Sequence, residues 1–242
     1  MIKQRLYLQV KKMLKRSTPL QFVIRILFYC IALLFMAVGV VLSANSDLGI
    51  SPVNSLAYVI SDILHTAPGT VVTSIYCLYI VMQIIILRKE FKWINLFQIA
   101  FSTLFGYFVN FAEWLLGDFV LPGGYAGRFI MMLISLVIIA FGVFLFLEVE
   151  LIPMPIEGLI LAIAKKLNKP FPATKVRVDC LTVALGIVLT VIFLHKFPFI
   201  DAGVRIREGT IISAIFTGTI VGMFKNALSP AVRKICFREE AQ

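Results

Sequence analysis

The segment Asn45-Ser-Asp-Leu-Gly-Ile-Ser-Pro-Val-Asn-Ser-Leu56 constrains the chain more than any other. It sets an aspartate, two asparagines, a glycine and a proline between apolar runs long enough to cross a bilayer. In water such a stretch would be a surface turn. In hydrocarbon its peptide groups find no water, so a break at that depth must be buried in protein or line a wet cavity. A second such break, Glu148 to Leu159, follows in the other half of the chain.

The flanking composition fixes the class. The 242 residues are 60% hydrophobic and 15% charged, with a mean hydropathy of +0.96, which specifies an all-α integral membrane protein. A span takes about 20 residues, so the chain holds six to eight crossings, and any activity sits in the helix bundle. The net charge of +10 comes largely from the ends and short loops. Lys3, Arg5, Lys11, Lys12, Lys15, Arg16 and Arg25 precede or open the first span with no acid among them. That is a topology signal, with no basic segment long enough to read nucleic acid. Cys30, Cys77, Cys180 and Cys236 have neither metal-site nor disulfide-framework spacing, and His65 and His195 fall at span ends. No nucleophile with a base, phosphate loop or metal cluster is present, so neither an enzyme nor a cofactor is expected.

In order, residues 1–24 read as a basic amphipathic segment on the cytoplasmic leaflet. Residues 25–116 form a first repeat with spans Ile26–Ala44, Gly69–Leu87 and Trp93–Leu116. Residues 117–127 form an extracytoplasmic loop. Residues 128–230 form a second repeat with spans Phe129–Leu147, Val176–Leu194 and Gly209–Leu228. Residues 231–242 form a cytoplasmic tail. After each break a short helix is expected, Pro52–Leu64 and Pro155–Asn168, with Ser51 as N-cap and proline in the first turn. Each is about 20 Å long, against a core of about 30 Å, and reads as a half-helix.

Laid on one another without a gap, residues 25–61 and 128–164 share eleven identities, among them Arg25 with Arg128, Gly39 with Gly142 and Pro52 with Pro155. One inserted residue then aligns Pro68 with Pro172, and further on Gly106 falls on Gly218. If the half-helices turn back, each repeat has three spans and the two must face opposite ways. Positive-inside counting favours these six spans over eight, with both termini cytoplasmic and the loop holding Lys196, Arg205 and Arg207 as the exception.

Two half-helix N-termini, at Pro52 and Pro155, would then converge near the bilayer midplane and offer free N–H groups to an anionic or carbonyl group of a solute. Beside them lie Asn45, Asp47, Ser51 and Asn54 from the first break, and Glu148, Glu150 and Glu157 from the second. The fifth span adds Lys175, Arg177 and Asp179, where the first repeat has Val71, Thr73 and Ile75. Lys175 and Asp179 share a helix face and can pair, while Arg177 points elsewhere. Asn110, Glu113, Arg205, Arg207 and Glu208 are further polar groups near span ends.

The run Leu48-Gly-Ile-Ser-Pro52, its counterpart Pro155-Ile-Glu157-Gly-Leu159, Thr174-Lys-Val-Arg-Val-Asp179 and Arg207-Glu-Gly-Thr210 followed by Gly218 resemble the bacterial YczE/YyaS/YitT group of multipass membrane proteins. The resemblance covers about residues 25 to 228. It implies a bacterial plasma-membrane address and little about chemistry, since the group has no settled activity. The reading that follows from the residues is a permease for a small solute, held between the broken helices. The alternative is a membrane-embedded substrate-binding or regulatory subunit working with a partner protein. The bilayer is the one partner the composition demands; self-association or another membrane protein stays open.

Overall fold

The computed structural model describes residues 18–197, 201 and 203–237. The basic segment before Thr18 and the tail beyond Phe237 lie outside the described residues. Among the described residues eight α-helices follow in order: α1 Pro19–Asn45, α2 Pro52–Leu64, α3 Pro68–Leu87, α4 Phe97–Leu116, α5 Gly124–Glu148, α6 Pro155–Leu167, α7 Phe171–Leu194 and α8 Glu208–Cys236. Two 3₁₀ turns, Arg88–Glu90 and Trp93–Leu96, join α3 to α4. All but α2 and α6 are long and apolar enough to cross a membrane, which makes this a multi-pass membrane protein.

Local sequence accounts for the helix ends. Thr18 and Gln21 close a reciprocal capping box on α1, leaving fewer orphan N–H groups. Proline opens α1, α2, α3 and α6, where its missing N–H costs nothing. The two short helices end alike, His65 at φ 50° and Asn168 at φ 51° both lying in the left-handed region, which these residue types tolerate better than most. Asp47 and Glu150, matched residues of the two breaks, also share it, at φ 54° and 46°.

Two boundaries differ from those expected. Helix α7 begins at Phe171 rather than Val176, so Lys175, Arg177 and Asp179 lie within regular helix. Helix α8 continues through Pro230 to Cys236 rather than ending at Leu228. The last turns are held from outside: Ser229 Oγ donates to Glu148 at 2.6 Å and Arg233 to Glu148 at 3.2 Å. A proline kept within a supported apolar helix is a familiar feature of spans.

The bundle is built on α1 against α5. The two run antiparallel, because the start of α1 lies beside the end of α5 (Arg25 Nε to Val149 O, 2.9 Å) and the end of α1 beside the start of α5 (Asp47 to Arg128, 2.7 Å). They meet at their glycines. A Cβ on Gly39 would sit 2.6 Å from Ile139 Cγ1, and one on Gly142 would sit 2.7 Å from Met36 Cγ. Close backbone approach of this kind is how spans adhere when lipid removes the hydrophobic drive between helices.

Around this pair the contacts are reciprocal. Helix α1 packs on α4 and α5 on α8; the short α2 packs on α7 and the short α6 on α3; α2 touches α3 and α6 touches α7. The largest contact without a counterpart is that of α3 with α4. Helices α3 and α4 are joined where Gly69 meets Gly106, and the Gly69 N–H donates to Asn110 Oδ1 at 2.8 Å. Helices α7 and α8 hardly touch, and Gly218, aligned with Gly106, has nothing within 4 Å of where a Cβ would stand.

Candidate functional site

Each break has its peptide groups satisfied from the opposite half. In the first, Ile50 N–H donates to Arg205 O (3.0 Å) and Leu48 O accepts from Gly209 N–H (2.7 Å). Gly49 makes that approach possible: its φ is 110°, and a Cβ would lie 2.7 Å from Thr210 Oγ1, a position that favours glycine twice over. In the second, side chains do this work. Arg25 donates to Val149 O and Glu150 O, and Tyr29 OH to Ile152 O at 3.1 Å. These bonds supply peptide groups of both breaks with partners that lipid could not give them.

A cavity of about 620 Å³ opens at the end of the bundle away from the described termini, lined by Asn45, Asp62, His65, Glu113, Asp118 and Arg205 among others. Arg205 forks onto Asp62 with two bonds, 2.6 and 2.8 Å, and its guanidinium lies 5.6 Å from the centre of the Tyr58 ring. A second cavity, of about 740 Å³, opens at the terminal end, lined by Arg25, Glu90, Lys92, Glu150, Gly158 and Lys165 among others. Lys165 pairs there with Glu90 at 2.6 Å.

Inward of the second cavity lies a polar cluster shared by α3, α4, α6 and α7. Gln83, fully buried, donates to Gln98 Oε1 at 3.0 Å and to the carbonyl of Pro155 at 2.9 Å. Gly158 admits it, since a Cβ there would stand 2.6 Å from Gln83 Oε1. Lys175 and Asp179 pair at 3.2 Å, as their spacing predicts. Glu157 is partly buried as a residue, yet its Oε2 is shut off from solvent and has no hydrogen-bond partner among the described residues. The same holds for Asp179 Oδ1, Tyr79 OH, Gln83 Oε1 and Gln98 Nε2. Loss of water pushes the Glu157 carboxyl above its ordinary value, with Lys175 pulling the other way. So many orphaned buried polar atoms in one place call for a ligand, a proton or a change of conformation to satisfy them.

The expected site residues fall into three groups. Asn54 and Glu157, matched in the two halves, lie in the first turns of α2 and α6, and Asn54 Oδ1 is also buried without a partner among the described residues. Asp179 joins the Glu157 cluster. Asn45, Asp47, Glu148 and Glu150 are structural as well as polar: Asn45 donates to Gly117 O at 2.7 Å, Asp47 accepts from Arg128 and from the Gly203 N–H, and Glu148 and Glu150 both hold Arg233. Ser51 stands at the N-cap of α2 but its side chain makes no capping bond; it accepts only a long 3.4 Å contact from Asn54 Nδ2. Arg177 is exposed on the outer face of α7.

A site between Pro52 and Pro155 was expected, and the two cavities described lie instead toward the ends of the bundle. Neither is lined by either proline, and each break is hydrogen-bonded to the opposite half. Sequence reading passed over Asp62, Tyr58, Tyr79, Gln83 and Gln98. A glutamine inside an apolar span was signal enough for Gln83, and helical spacing after Pro52 places Tyr58 and Asp62 on one face.

Fold and site together define a multi-pass helical membrane protein with two oppositely placed cavities and a polar centre. The chain belongs to a family of unknown function (DUF6198), whose family model matches residues 23–226. No curated protein and no solved structure matches it.

Proposed function

We propose that the protein is a small-solute transporter made of two inverted repeats, residues 25–116 and 128–230, whose solute passes between the two end cavities by way of the half-helices α2 and α6. One observation carries this reading: Asn54 and Glu157 occupy the same position in the first turn of the two short helices, each with a buried oxygen that lacks a partner among the described residues, between cavities at opposite ends. Reciprocal packing about α1 and α5 supports the inversion. A pair of broken helices at the interface of inverted repeats is a recurring plan for secondary transporters.

The terminal end, with Lys92, Lys165, Lys166, Arg233 and Lys234, is the cytoplasmic one in this reading, facing into a bacterial cell. At the other end Arg128, Arg205 and Arg207 are each ion-paired, which offsets the charge of two of the three basic residues, Arg205 and Arg207, that run against positive-inside counting. The test is uptake by proteoliposomes offered the small-molecule fraction of a cell extract, read by mass spectrometry. At least one solute should accumulate above protein-free liposomes and fall to background in Asn54→Ala and Glu157→Ala. Uptake no different from protein-free liposomes would overturn the proposal.

A further inference from the structure

The charge balance around Glu157 does not close. The titratable groups that face its carboxylate are Tyr29 from α1, Tyr76 from α3, and Lys175 and Asp179 from α7. Lys175 is already engaged by Asp179 at 3.2 Å. Two carboxylates share one ammonium, so one negative charge at membrane depth is left uncompensated, an arrangement that is costly and usually functional. The surroundings ask for hydrogen as well as charge, since Glu157 Oε2 and Asp179 Oδ1 both lack a donor among the described residues, while the buried Tyr79 hydroxyl, beside Asp179, also has no partner. A bound metal ion is poorly served. Hard cations take six or more oxygen ligands or keep several waters, and no group of three metal-binding side chains occurs among the described residues.

We propose that Glu157 is a proton-binding site. Its carboxylate takes up one proton on Oε2 and becomes a neutral acid, while Lys175 stays paired with Asp179 and the cluster as a whole becomes neutral. The proton comes from the terminal end of the bundle, where α7 begins and where the Lys175 and Asp179 side chains keep partial exposure, 37% and 22%. Resting on the transporter reading, this makes the proton the ion whose binding is coupled to solute movement, with Glu157 as the point of exchange. Asn54, its counterpart in the first repeat, cannot carry a proton in this way, so coupling is confined to the second repeat.

The test is infrared difference spectroscopy of the purified full chain in detergent, between about pH 8 and about pH 5, a window above the ordinary glutamate value. Wild type should gain one protonated-carboxyl band per chain. The band should vanish in Glu157→Gln, move to lower pH in Asp179→Asn, where Lys175 is released to compensate Glu157, and shift in frequency in Glu157→Asp. A band unchanged in Glu157→Gln, or unmoved in Glu157→Asp should the glutamine variant fail to fold, would overturn the proposal. This readout needs no transport. A band at Glu157 in a chain that moves no solute would sink the transporter reading alone, and solute flux without the band would sink the proton site alone.

Discussion

Arg25 and Arg128 stand at matched positions of the two halves, and each grips the break of the other: Arg25 donates to the Val149 and Glu150 carbonyls, Arg128 to the Asp47 carboxylate at 2.7 Å. The halves are therefore locked by exchanged charges at both ends of the α1–α5 pair. Arg25 is 2% exposed and leaves buried carbonyls bare when removed. Arg25→Ala should cost about 3 kcal/mol. Arg128, with 40% of its side chain exposed, should cost about 1 kcal/mol on truncation. Thermal unfolding in detergent compares the two, and equal losses would contradict this assignment.

The glycines give a paired comparison. Gly106 lies against the Gly69 carbonyl and Thr73 Oγ1, while Gly218 meets nothing. Gly106→Ala must force α3 and α4 apart and should cost about 2 kcal/mol or more. Gly218→Ala should be neutral or slightly stabilising through helix propensity. Melting temperatures of the two variants decide it.

Much of this was legible in the sequence, and the reasons are specific. Proline at the head of α2 and α6, and polar residues between apolar runs, placed both short helices within a residue of where they lie. The pairing of Lys175 with Asp179 followed from spacing alone. The interior was hidden because its partners are distant in sequence: nothing in Ile50 foretells a bond to the Arg205 carbonyl, which joins the first break to the opposite half. The end of α8 was missed because Pro230 reads as a stop, and it is Glu148 and Glu150, far away in sequence, that hold the helix beyond it.

Asp62 and Arg205 form the forked pair that ties α2 to the α7–α8 connection across the first cavity. Both side chains are a quarter or more exposed, so the pair is worth about 1 to 2 kcal/mol. Asp62→Asn and Arg205→Gln should each destabilise, and the double variant should lose less than their sum. Strict additivity in a double-mutant cycle would remove the pair from the account.

Stability should depend on pH through Glu157. Its carboxyl is raised in the folded chain, so between the ordinary and the raised values the native state holds a proton that the unfolded chain has released. Stability is then full below that window, falls as pH rises through it, and stays at the lower level above. Glu157→Gln should flatten this fall and melt higher than wild type at alkaline pH. Melting curves across a pH series read the effect, and parallel curves would contradict it.

The central claim, that two oppositely facing halves each send a half-helix in and back out from its own side, is tested most directly by sided cysteine labelling. With Cys30, Cys77, Cys180 and Cys236 replaced, single cysteines are placed at the exposed positions Thr66, Asp118, Lys92 and Lys169 and treated with a membrane-impermeant maleimide. Cysteines at 66 and 118 should react in intact cells, and those at 92 and 169 only after the membrane is opened. Reaction of position 66 only after the membrane is opened, from the same side as position 169 and with position 92 reacting in intact cells, would mean that α2 crosses, and the inverted arrangement with its two end cavities would fall.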